Sequence, residues 1–141
     1  MTTNNLHRET AATLKEWRVE LASMAATRCY ANHTDLRRRY GKTRHTRFQQ
    51  IIETLLAHLT LAIQQGRPAL FADYVLDDDA RPARGGLRPA QLTIVLEQMR
   101  GTLRQYLPGP RGKLAYESLE FALARHIRSC NRSDQPLRNV A

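Results

Sequence analysis

The sequence predicts an all-α domain, a bundle of four long and two short helices. Three observations carry this. Apolar residues recur at steps of three and four along four long stretches, the period of an amphipathic helix. Glycine and proline collect between those stretches, at Gly66-Arg67-Pro68 and Pro108-Gly109-Pro110. No segment alternates apolar and polar residues over the length of a strand. At 141 residues the chain is one domain, able to bury about two thirds of its unfolded surface.

Residues 1–6 are polar and are expected to be a disordered N-terminus, ahead of a single helical domain over 7–130. The first helix, 7–28, carries Leu14, Trp17, Leu21 and Met24 on one stripe, with Trp17 expected as a core anchor. Thr34 or Asp35 can cap a short helix that stops at Gly41. The central helix, 43–65, starts at the cap Thr43 and presents Phe48, Ile51, Ile52, Leu55, Leu59, Ala62 and Ile63. A second short helix opens at Pro68 and offers Leu70, Phe71, Tyr74 and Val75. Residues 77–88 form the longest loop, in which Asp77, Asp78 and Asp79 serve helix capping and charge balance against Arg81 and Arg84. The fifth helix, 89–107, shows Leu92, Val95, Leu96, Met99, Leu103 and Tyr106, with Gly101 off that face as a place for another backbone to approach. After the Pro-Gly-Pro turn, the last helix, 111–130, runs back antiparallel with Tyr116, Leu119, Leu123, Ile127 and Cys130 inward. Residues 131–141 are expected to be a disordered tail or a truncated linker.

Composition bounds the function. There is no uncharged apolar run near 18 residues and no apolar leader core, so a cytoplasmic protein without a membrane span is expected. Cys29 and Cys130 do not make a disulfide framework and are expected to be buried as small apolar residues. A net charge of +9 points to anionic partners. It is concentrated in 28–47, where Arg28, Arg37, Arg38, Arg39, Lys42, Arg44 and Arg47 face the single acid Asp35, interleaved with Tyr30 and Tyr40. Such a cluster is either a solvated face or a surface for nucleic-acid phosphates, and its short helix, Gly turn and long helix loosely imitate a helix-turn-helix.

His58 lies at the edge of the central stripe, where a rim histidine, or a haem or bilin ligand, would sit. With Phe71 and Tyr74 it marks a candidate ligand pocket between the central helix and the 89–107 helix. No cofactor is expected beyond that tetrapyrrole alternative, and no metal site. Phosphate-cradling glycine loops, GxSxG, HExxH and CxxC are all missing from the sequence, so a non-enzymatic role is expected.

Tyr40-Gly41, His58-Leu59, Ala62-Ile63, the run Pro68 to Val75, Arg84-Gly85 and Leu107-Pro108 together resemble the helical, globin-like sensor domains at the N-termini of bacterial regulators. These include stressosome-type sensors and cobalamin-binding regulators. The resemblance covers about half the chain and implies a globin-like arrangement and a non-catalytic, often dimeric domain that signals to a protein partner or output domain. Two departures stand out: an acidic, Pro-bearing stretch follows Val75, and the 141 residues hold no output domain, so a stand-alone adaptor or a piece of a larger regulator is expected. The leading expectation is therefore a sensory or regulatory homodimer whose face is built from the stripes of the first and last helices. A nucleic-acid-binding accessory protein is the alternative.

Overall fold

The computed structural model describes residues 2–41 and 45–140, with side-chain surroundings for 5–41 and 45–131. Lys42, Thr43 and Arg44, to which the sequence assigns two anion contacts and a helix cap, lie outside the described residues. Among those described, the chain is all-α, with seven helices and two 3-10 turns. These are α1 (Thr2–Glu16), α2 (Arg18–Asn32), α3 (Thr34–Tyr40), α4 (His45–Gln64) and α5 (Pro68–Leu76). The turns Asp78–Ala80 and Pro82–Arg84 follow, then α6 (Pro89–Tyr106) and α7 (Gly109–Val140).

α4 is the axis of the bundle. Phe48, Ile52, Leu55, Leu59 and Ala62 are fully buried against α1, α2, α5 and α7. Each large side chain so buried stabilises the fold by roughly 1.5–3 kcal/mol. α7 closes the bundle by packing on α1, α5 and α6, while α2 joins α4 to α6.

The extra helix arises because the expected first helix is broken at Trp17, whose backbone sits at φ −100°, ψ 12°. Hydrogen bonds continue across the break, from Trp17 N to Thr13 O and from Leu21 N to Trp17 O, so the chain bends without stopping. The bend lets one amphipathic segment serve two neighbours. α1 packs on α7, and α2 on α6. It also turns Trp17 outward, 49% exposed, while Leu14 and Leu21 stay buried. The core-anchor reading of Trp17 is therefore corrected: a straight helix would bury it between those leucines, and the bend does not.

Other boundaries shift as well. α1 begins at Thr2, inside the stretch expected to be disordered, and α7 continues past Cys130 to Val140, across the expected tail. The 77–88 segment, expected as an open loop, coils into the two 3-10 turns. Gly101 does admit a close neighbour, but it is a side chain. A Cβ there would lie 2.6 Å from Arg28 Nη2, and Arg28 donates to Gln98 Oε1 at 3.3 Å and Gln105 Oε1 at 2.7 Å. The stripes expected to form a dimer face are used inside the chain, since Leu14, Leu119, Ala122 and Leu123 are all buried.

Candidate functional site

Two of the three residues assigned to a pocket do meet. The rings of His58 on α4 and Tyr74 on α5 stack with centroids 3.6 Å apart and planes 10° apart. Phe71, one turn away, is fully buried in the core. Arg84, which the sequence placed in a turn with Gly85 and read as charge balance, completes the group. Arg84 is only 4% exposed, donates from Nη1 to the Tyr74 carbonyl at 2.7 Å, and holds its guanidinium 5.5 Å from the Tyr74 ring centroid.

Burial shapes the protonation of all three groups. It lowers the His58 pKa and raises that of Tyr74, the nearby Arg84 charge partly opposing the latter. It also lowers the Arg84 pKa, against the pull of Tyr74, Asp77 and Asp78. The Tyr74 hydroxyl is buried without a hydrogen-bond partner among the described residues.

Arg84 is turned inward by the residue after it. Gly85 has φ 71°, a left-handed conformation that glycine adopts without steric penalty. A Cβ there would come within 2.2 Å of Ile51 Cδ1 on α4. The Gly85 carbonyl accepts from Tyr40 Oη at 3.3 Å, which ties the turn to α3. The second 3-10 turn thus packs on α4 with Arg84 buried.

Arg84 borders a groove of about 750 Å3 between α5, α6 and α7. Val75, Leu76, Leu87, Pro89, Leu92 and Ile127 give it apolar walls, and Asp78, Arg81, Arg84, His126 and Cys130 add charged or titratable groups. His126 is 5% exposed with Nε2 2.9 Å from the Pro89 carbonyl. A carbonyl only accepts, so Nε2 carries the proton and a neutral His126 keeps Nδ1 as an acceptor. Cys130 Sγ lies 3.8 Å from the same nitrogen, and it is half-buried, less so than expected. Cys29 is fully buried, as expected, and burial pushes its thiol up to about 12. A groove of mixed apolar and polar lining, with a buried guanidinium and imidazole and the single carboxylate Asp78, suits a molecule that joins an apolar body to an acidic group.

His58 and Tyr74, assigned to a pocket between the central helix and the 89–107 helix, do not line this groove; Tyr74 supplies the carbonyl that holds Arg84. His126 was legible in principle, because it continues the Leu119–Leu123 stripe by one helical step. The burial of Arg84 was not, because no periodicity acts on a residue between Pro82 and Gly85.

The basic cluster is divided by the fold. Arg28 turns to α6, and Arg37 and Arg47 are exposed on α3 and α4. Arg38 and Arg39 meet Arg88 and Gln91, at the start of α6, around a recess of about 580 Å3 that Asp35 also lines. Arg39 is held there by its Nη1, which donates to Gln91 Oε1, and by Nη2 to the Gly86 carbonyl at 3.0 Å. The acidic turn does not neutralise this face. Asp78 pairs with Arg81 at 3.8 Å, and the Asp77 carboxylate accepts from Asp79 N at 3.0 Å.

Among the described residues there is no cluster of three or more His, Cys, Asp or Glu side chains placed to hold a metal ion. Nor is any helix among them long and apolar enough to cross a membrane. Compared with family models, with curated proteins and with solved structures, the chain matches none.

Proposed function

We propose that the chain is a non-catalytic regulatory domain that takes up a small apolar acid in the α5–α6–α7 groove and signals its occupancy to a protein partner. The observation that supports this is the groove itself, with Arg84 and His126 buried at its wall and apolar side chains around them. A carboxylate or similar anion would gain charge-assisted hydrogen bonds from Arg84, in a setting where water competes little. The reading agrees with what the resemblance to globin-like sensor domains implies.

α7 supplies His126, Ile127 and Cys130 to the groove and also packs on α1 and α6, so a ligand that shifts α7 alters the whole closing side of the bundle. The partner in this reading is a second copy of the chain. With the helical stripes used internally, the dimer face would draw on the exposed apolar residues Trp17, Val19 and Phe121 of the same elements.

The test uses 8-anilinonaphthalene-1-sulfonate, an apolar anion, with maleimide labelling of Cys130 as the reporter. Saturable uptake that slows Cys130 labelling, and is weakened in Arg84→Met, supports the reading. Labelling of Cys130 that is unchanged at saturating probe overturns it.

A further inference from the structure

A second surface, outside the groove, has a different chemistry. We propose that the recess formed by Arg38, Arg39 and Arg88 is a phosphate seat by which α3 and the start of α6 dock on a nucleic-acid backbone. Three guanidinium groups converge there against one carboxylate, Asp35. Among the described residues, none of Arg38, Arg39, Arg88, Arg37 or Arg47 has a carboxylate within ion-pair distance.

The recess is also ordered in advance of any ligand. Gln91 Oε1 accepts from both the Arg39 guanidinium and the Arg88 backbone N–H at 3.1 Å, and the Gly86 carbonyl takes a second bond from Arg39. Arg39 is thereby aimed, with its remaining N–H groups available for a tetrahedral oxyanion. Arg88 sits at the N-cap of an 18-residue helix, whose macrodipole adds positive potential at that end.

A polymer fits better than a single phosphorylated metabolite. Arg37 and Arg47 are exposed on α3 and α4 outside the recess lining, so exposed positive charge is not confined to the recess. The net charge of +9 favours approach to a polyanion over a lone anion.

The experiment is fluorescence anisotropy of labelled single-stranded and duplex DNA, titrated with salt, on three forms of the full chain. They are the unaltered protein, the double variant Arg38→Glu/Arg88→Glu, and a control, Arg67→Glu/Arg128→Glu, with the same change in net charge on exposed residues elsewhere. Arg39 is left in place because its hydrogen bonds tie α3 to α6, and circular dichroism checks that both variants fold. The expected result is binding that falls with salt, and a loss of at least about tenfold at 100 mM salt in the recess variant, with a log–log slope shallower by about 1–2. The control should lose far less. Equal losses in both variants would reduce the effect to overall charge and overturn the proposal. So would the absence of DNA binding at 100 mM salt, or recess-dependent binding of adenosine monophosphate alone, which would assign the seat to a small phosphate ester.

Discussion

Arg84 and Arg88 stand four residues apart and end in opposite environments. Arg84 is pressed into the bundle, satisfied by the Tyr74 carbonyl and ring and opposed in charge by Asp77 and Asp78. Arg88 is exposed at the mouth of α6, beside Arg38 and Arg39, with no carboxylate partner among the described residues. A buried cation must be compensated where it sits, so part of its hydrogen bonding belongs to the fold and only its remaining N–H groups can meet a ligand. An exposed one keeps its solvation and its charge, which remain available to a partner. The groove and the recess differ in the same way: one offers shape and a buried polar pair, the other an exposed positive field.

The sharpest way to break this contrast is at the turn that creates it. Gly85→Ala forces a side chain into a left-handed conformation and against Ile51. It should destabilise the protein by about 3 kcal/mol in urea unfolding, from backbone strain and overpacking together. A loss under about 1 kcal/mol would mean that the turn is not held down on α4.

Next in size is the direct comparison. Arg84→Ala should cost about 2 kcal/mol and lower Tm by about 6 °C, through its lost hydrogen bond and packed stem. Arg88→Ala should stay within about 0.5 kcal/mol, as exposed substitutions usually do. Equal effects would erase the distinction between the two sites.

A smaller effect is read as pH dependence. Because burial lowers the His58 pKa below 6.5, the unfolded chain takes up this proton more readily than the folded one. The associated stability is complete above pH 6.5 and is lost as pH falls through the lowered folded value. His58→Phe keeps a ring against Tyr74 and removes the titration. Unfolding measured at pH 7.5 and 5.5 should then show a smaller difference than in the unaltered chain, and an unchanged difference would place the proton elsewhere.

The smallest effect is expected at Gly101. Gly101→Ala brings a Cβ near the mobile end of Arg28, and the helix-propensity gain of about 1 kcal/mol offsets the shift of that side chain. The net change should be within about 0.5 kcal/mol. A loss above 2 kcal/mol would show that Arg28 is immobile over α6.

Much of the core was readable in advance. Phe48, Ile51, Ile52, Leu55 and Leu59 on α4, and Leu92, Val95, Leu96 and Met99 on α6, are buried as their spacing predicts. Helical period is a local property, and an apolar stripe has few other places to go. The candidate sites were legible only in fragments. His58 and Tyr74, named for a pocket, stack on each other outside the groove, and Arg38 and Arg39 were noticed without Arg88, which is distant in sequence.

What the sequence by itself determined, then, was the all-α class, the helical stripes and the Gly and Pro positions that separate them, because each depends on neighbours within one or two turns. Tertiary structure alone decided the bend at Trp17, the inward turn of Arg84 and the meeting of α3 with the start of α6. These depend on which helices pack together. A bend costs little along the chain itself, and packing against α6 and α7 selects it. A guanidinium enters the interior only where a carbonyl and a ring from another element are already waiting for it.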